Sequence, residues 1–167
     1  MRKALLAVCV VATMTALPAK ADWQYTQWGQ SLDQIMSIEG KGITPTDDRQ
    51  KRLYANEIFG EALAVSPYKV AGMDVDAVYH FTGNRLSAVR IVLKSIGDGI
   101  TARELLRQQY GPPYDRSSDQ LCDMEREVWR DTEKGNHIAF SSLSCFKQDP
   151  LIYVIYSPIP TSSDTGL

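Results

Sequence analysis

Histidine is scarce in this chain: His80 and His137 are the only two among 167 residues. Each falls in a stretch that reads as a strand, with no partner carboxylate or serine at motif spacing. A catalytic claim needs a positioned set of groups, so both read as structural or solvent-facing. No nucleophile elbow, HExxH, glycine-rich phosphate loop or haem-attachment CxxCH occurs. No catalytic residue is assigned, and the chain reads as non-enzymatic. Cysteine is nearly as scarce, with Cys9, Cys122 and Cys145. A zinc site would need further ligands of suitable type, and the two histidines are all there are, so no metal and no cofactor is expected. An excess of basic charge is also missing, which argues against nucleic acid, whose phosphates want a basic face. The full chain has 18 basic and 20 acidic residues, for a formal net charge of −2.

The chain has one long apolar run, at its start. In "MRKALLAVCVVATMTALPAKA", Arg2 and Lys3 precede an uncharged, mostly apolar stretch from Ala4 to Leu17. Ala19-Lys20-Ala21 then offers the small residues a signal peptidase needs. The run is shorter than the ~20 residues needed to span a bilayer and stops at Pro18, so a membrane span is not expected. Lipid attachment at Cys9 is disfavoured by the bulky Val8 before it. The expectation is a secretory signal over residues 1–21, cleaved after Ala21, with a periplasmic or secreted product. Removing it takes three basic residues and no acidic ones, leaving 15 against 20 and a net charge of −5. The remaining residues, 22–167, suit a single domain with enough apolar content for its own core, and no linker-like stretch divides them.

Helix and strand signals follow one another twice. Ser31 can cap a helix carrying Leu32, Ile35, Met36 and Ile38, stopped by Gly40. Thr101 can cap a second, with Glu104 in capping-box position and Leu105, Leu106 and Tyr110 forming the apolar stripe up to Gly111-Pro112-Pro113. After the first come "RLYANEIF", "EALAVSPYKVAG", "VDAVYHF" and "RLSAVRIVLK"; after the second, "EREVWRD", "NHIAFSSLSCF" and "LIYVIYSP". These runs, rich in Val, Tyr, Ile and Phe, read as antiparallel strands. The mixed charge run "TDDRQKR" at 46–52 reads as a solvated loop. Ser141-Ser142 and the tail Thr161 to Leu167 read as surface, the tail as mobile. The expected fold is α+β. Two helix-plus-antiparallel-strand units, about 22–97 and 98–160, form a curved sheet with helices packed on one side.

Two hairpins set the expected registers. Gly83-Asn84 is a two-residue turn that places Phe81 opposite Leu86 and Tyr79 opposite Ala88. One face then carries Val75, Ala77, Tyr79, Phe81, Leu86, Ala88, Arg90 and Val92; the other carries Asp76, Val78, His80, Ser87, Val89, Ile91 and Leu93. Both faces are partly apolar, so either both are covered or one meets a partner. A turn at Lys134-Gly135 would place Met124 opposite Cys145, leaving Cys122 one diagonal step away. A Cys122–Cys145 disulfide is still the preferred reading for an oxidising compartment, and two buried free thiols are the alternative. Trp28, beside the first helix, is expected in the core.

The residues also resemble a known group. A "W-x-x-x-x-W-G-x-S" run from Trp23 to Ser31, the hairpin "VYHFTGNRLSAVRI", then "LLRQQYGPP", and an ending with Trp129, Asn136 to Ile138 and "VIYSP" look like small exported bacterial proteins. That group has the beta-lactamase-inhibitor-protein-like architecture, whose unit the outer-membrane SmpA/OmlA proteins share. The resemblance implies a helical layer against a curved antiparallel sheet whose open face binds another protein. The family's lipid-attachment cysteine has no counterpart here.

The functional expectation is an exported, non-enzymatic binding module that acts through an exposed sheet face on another envelope or secreted protein. Tyr79 and Arg90 are the chosen contact residues, because tyrosine and arginine offer large contact area with directional donors. The alternative for Tyr79 is packing under the helices with Phe81 and Leu86. The alternative for the protein is a small-ligand carrier or an enzyme with a pocket between helices and sheet. The sequence does not decide the partner's identity or the oligomeric state.

Overall fold

The computed structural model describes residues 22–119, 123–144 and 150–160. Residues 1–21, where a secretory signal is expected, the cysteines Cys122 and Cys145 and the C-terminal tail lie outside the described residues. A two-stranded ribbon, β1 (Asp22–Trp23) and β2 (Thr26–Gln27), leads into α1 (Leu32–Met36). Next come β3 (Thr44–Pro45), α2 (Asp48–Leu53), β4 (Glu61–Val70), β5 (Met73–Thr82) and β6 (Arg85–Leu93). The second half is α3 (Ile96–Tyr110), β7 (Asp115–Asp119), β8 (Asp123–Asp131), β9 (Asn136–Ser144) and β10 (Leu151–Pro158). One eight-stranded sheet holds β3 to β10 in the order β3-β4-β5-β6-β10-β9-β8-β7, with every pairing antiparallel. The fold is mostly β with helices added, within the α+β class.

Two edge strands end the sheet, and both are poor templates for further pairing. β3 is two residues long and contains Pro45, and β7 is polar and exposed along its whole length.

The first face, under α1 and α3, holds the larger core. Met73, Val75, Ala77, Tyr79 and Phe81 alternate along β5 and meet Val89, Ile91 and Leu93 of β6, Val154 of β10 and Phe140 of β9. α1 is closed by the expected Ser31 capping box, with Gln34 as its reciprocal partner, and buries Ile35. α3 presents Gly99, Ala102 and Leu106, spaced three and four apart, to the sheet. Gly99 has to be small: a Cβ there would lie 2.9 Å from Ile152 Cγ2. Arg107 then ties the helix to β8 through Glu127, with bonds of 3.2 Å from Nε and 2.5 Å from Nη2. Trp129 Nε1 donates to the Gly111 carbonyl at the helix end, at 2.9 Å.

Several expectations are corrected here. α3 starts at a Ser95 cap, ahead of Thr101, whose hydroxyl instead bonds back to the Gly97 carbonyl within the helix. The "TDDRQKR" run is not a loop but α2, because Asp47 and Gln50 form a reciprocal capping box. "RLYANEIF" is the end of that helix and a turn, with Tyr54 as the C-cap. Tyr54 packs on Ala62, Val65 and Val78, on the second face, so the helical elements do not all sit on one side. Ser141 is buried rather than at the surface, and Trp28 is half-buried against the core, its indole N–H bonded to Asn136 Oδ1 at 2.9 Å.

Candidate functional site

The β5–β6 hairpin decides where the chosen contact residues go. Gly83 and Asn84 both take positive φ, +55° and +60°, which a two-residue type I′ turn requires, and Phe81 pairs with Leu86 as expected. One residue later the ladder slips: His80 pairs with Ala88, so Ser87 is an extra residue on β6. A bulge of this kind sends every later side chain to the opposite face. Ser87 is held there by its hydroxyl, which donates to the Phe59 carbonyl at 2.7 Å and the His80 carbonyl at 3.1 Å. The consequence is a correction. Tyr79 pairs with Val89 and faces the helices, whereas Arg90 pairs with Val78 on the second face. They share no patch, and both are buried, at 0% and 3% exposed.

Tyr79 is a core residue with its polar end satisfied. Its hydroxyl meets the Tyr25 hydroxyl at 2.7 Å and Ser66 Oγ at 3.0 Å. Its ring stands edge-on to Trp23, with centroids 6.1 Å apart. Burial pushes its pKa far above the ordinary tyrosine value, so the hydroxyl stays protonated and can donate.

Arg90 is the opposite case. Its Nε and Nη2 are buried and make no hydrogen bond, and no carboxylate among the described residues pairs with it. The guanidinium lies over the Tyr153 ring, 5.1 Å from its centroid, which supplies a cation–π contact but no acceptor for those N–H groups. Burial lowers its pKa, yet arginine remains charged at any physiological pH.

His80, on the same face and fully buried, has an orphan of its own. Nδ1–H donates to the Gly60 carbonyl at 3.1 Å, which makes Nε2 the bare acceptor nitrogen, and Nε2 has no partner. Burial first, and the Arg90 charge second, lower the His80 pKa to about 4. The turn carrying Gly60 presses close on this strand: a Cβ on Gly60 would lie 2.3 Å from the Phe81 carbonyl oxygen.

The second face divides at β6. On the β4–β5–β6 side Tyr54 lies over the sheet, and Phe59 of the following turn packs further across, on the cluster of Ala88, Val128, Ala139 and Ile155. On the β10–β9–β8 side no described helix is packed; α3 meets those strands from the first face. What collects there is positive charge. Arg126 and Arg130 are four residues apart on β8, and His137 pairs directly with Arg130. The two arginines depress the His137 pKa, adding to the effect of its partial burial. Arg130 stacks on the exposed Tyr114 ring at 4.5 Å, and Arg126 reaches Asp115 only at 3.7 Å. Arg126, Arg130 and the exposed Leu151 rim this half-face, while its centre, Val128, Ala139 and Ile155, is buried under Tyr153 and Phe59, with buried Arg90 at the inner border.

Such an arrangement can bind acceptors, carboxylates above all. The sequence reading placed Arg90 on the wrong face and missed Arg126, Arg130 and His137. Alternation along "EREVWRD" carries the signal for the last group, but only once the β8–β9 register is known. That hairpin closes at Asp131↔Asn136 with four residues in the turn, so Met124 lies opposite Leu143 rather than Cys145. The described ladder ends on Asp123↔Ser144, the sequence neighbours of the two cysteines. No helix among the described residues is long and apolar enough to cross a membrane, and they contain no cluster of three or more His, Cys, Asp or Glu that could hold a metal. Comparisons with protein-family models, curated proteins and solved structures find no match.

Proposed function

We propose that this chain is an exported, non-enzymatic protein-binding module of the bacterial envelope. It docks an acidic segment of a partner protein on the β10–β9–β8 half of its second sheet face. The observation that carries this reading is Arg90, a buried cation whose Nε and Nη2 have no acceptor. Leaving charged donors unsatisfied in a protein interior is costly, and a partner's carboxylate, reaching Arg90 once the Tyr153 ring beside it swings aside, removes that cost in a way no described residue does. Arg126 and Arg130 supply the long-range attraction, which steers encounter more than it adds affinity, and neutral His137 beside Arg130 can add a hydrogen bond. The strand order, mirrored about the β6–β10 junction, supports two units of similar plan joined at the centre of the sheet. The resemblance to exported proteins with an open binding face points the same way.

The test is capture from envelope extract on immobilised protein, repeated with Arg90→Met and with the pair Arg126→Glu and Arg130→Glu. A specific protein should be retained, should elute as salt rises, and should be lost from the charge-reversed variant at an unchanged melting temperature. Retention that survives charge reversal overturns the reading. Export is tested separately by intact mass, which should show a chain beginning at Asp22.

A further inference from the structure

A half-open cavity of about 450 Å³ lies on the other side of the sheet, between α3 and the first face. Met73, Ile91, Leu93 and Val154 form its floor, and Ala102, Leu105 and Leu106 of α3 form its roof. At the opposite end stand Tyr110, Tyr156, Asn136 and Lys134, with Gln108 and Gln109 on the helix above. We propose that this cavity is a binding site for a single-chain amphiphile with a carboxylate head, of the fatty-acid class.

The shape carries the first half of the argument. Leu93 is level with Ile152 of β10, and Asn136 is level with Pro158 of the same strand. Six residues of strand separate the two ends, roughly 20 Å at ~3.3 Å per residue. A slot of that length, with apolar side chains along its floor and roof, suits an extended hydrocarbon chain lying along it. Protein interiors are close-packed, and apolar walls facing an unfilled space forfeit their contacts, so a chain lying against Leu93, Ile91 and Leu105 restores what the void lacks.

The polarity carries the second half. Apolar side chains line the end near the start of α3, and polar ones gather where the helix finishes. Among the lining residues Lys134 is the one charged side chain, and no carboxylate lines the cavity. The acid nearest in sequence, Asp131, accepts the Lys134 backbone N–H at 3.1 Å. Burial first, with the nearby Asp131 charge adding to it, raises the pKa of both Tyr110 and Tyr156, so their hydroxyls stay protonated and available as donors, and Lys134 is the group that offsets Asp131 at this end. The Tyr110 hydroxyl also accepts from Gln109 Nε2 at 3.0 Å, which fixes it at this end. A cation and neutral donors at one end of an apolar slot match an oxygen-rich, negatively charged head on an unbranched chain.

Titration of the purified protein with dodecanoate below its micellar range tests this, followed by tryptophan emission, since Trp23 borders the cavity, and by calorimetry. The neutral glycerol monoester of the same chain runs in parallel. Dodecanoate should bind saturably at one site. Lys134→Ala, in an exposed turn, should weaken it about tenfold while leaving the monoester unchanged. Leu105→Trp, which fills the slot, should abolish both. Absence of saturable binding by either molecule overturns the proposal. So does equal sensitivity of acid and ester to Lys134→Ala, or undiminished binding to folded Leu105→Trp. Should Leu105→Trp fail to fold, the Lys134 comparison still decides.

Discussion

Tyr79 and Arg90 sit on neighbouring strands, 0% and 3% exposed, and differ in one respect that matters: the first has its polar end satisfied and the second does not. On the first face the Tyr25, Ser66 and Tyr79 hydroxyls bond to one another inside a shell of rings around Trp23, which lies 5.3 Å from Tyr68 and 6.3 Å from Tyr156 by ring centroid. On the second face, Arg90 and His80 are enclosed just as tightly with acceptor and donor sites left over. Burial alone therefore says nothing about role. A buried polar group with its bonds made belongs to the fold, and one without them is a cost that the isolated chain carries.

The largest effect expected from breaking this contrast is on the first face. Tyr79→Ala empties the centre of the aromatic cluster and should cost about 4 kcal/mol in urea unfolding. Tyr79→Phe, which keeps the ring and removes the hydroxyl, should cost about 1 to 2 kcal/mol, because the Tyr25 and Ser66 hydroxyls lose a shared partner. A Tyr79→Ala variant with a wild-type midpoint would mean that this residue is not core.

Acid should expose the strain on the second face next. His80 titrates at about 4 in the folded chain because burial and the Arg90 charge oppose its protonation, against an ordinary value of 6.5. Above pH 6.5 both folded and unfolded states hold it neutral, and its contribution is flat. As pH falls from 6.5 towards 4 only the unfolded state takes the proton, so stability falls by about 1.4 kcal/mol per unit, levelling off at a loss of about 3 kcal/mol. His80→Asn keeps an N–H for the Gly60 carbonyl and cannot titrate. It should flatten the wild-type slope in that window; an unchanged slope would place the acid sensitivity elsewhere.

These predictions rest on features of unequal legibility. The strand runs, the Ser31 cap and the Gly83-Asn84 turn could be read directly, because local backbone chemistry dictates them. The faces of β6 could not. A single extra residue at Ser87 reverses them, and what stabilises it is a bond to the Phe59 carbonyl, 28 residues away in sequence. α2 was legible in principle, since Asp47 and Gln50 stand at capping-box spacing, but the charged run around them masked the signal. The cavity beneath α3 has no local signature, because its walls come from β4, β5, β6, β10, α3 and the β8–β9 turn, and only tertiary packing brings them together.

The β8–β9 hairpin links the basic half-face to the oxidising compartment expected for the chain. Its described ladder ends at Asp123↔Ser144, so a Cys122–Cys145 bridge would continue from a pairing already in place on both strands. Closing a loop of that length should contribute about 3 kcal/mol, by an entropic account that is model-dependent. Non-reducing peptide mapping should recover the two cysteines joined. Reduction should then lower stability and loosen the strands that carry Arg126, Arg130 and His137. Full labelling of both thiols in unreduced, denatured protein would rule the bridge out.

The smallest change should be the most telling, because its sign is unusual. Most core substitutions destabilise, but Arg90→Met keeps a long, flexible side chain against Tyr153 while removing a buried charge whose Nε and Nη2 have no acceptor. Replacing buried ionic groups by apolar ones of similar volume is often neutral or stabilising, and here there is no ion pair to lose. The expected gain is about 1 kcal/mol at neutral pH, since the cation–π contact forfeited is of similar size to part of the desolvation cost relieved. The same substitution should raise the His80 pKa, because the Arg90 charge is one of the two causes that lower it. Stability and function then move apart: a variant that melts higher yet fails to retain the acidic partner identifies Arg90 as a residue held for binding at the fold's expense. A variant that melts lower would instead show that the guanidinium is satisfied within the isolated chain, and the contrast between the two faces would collapse.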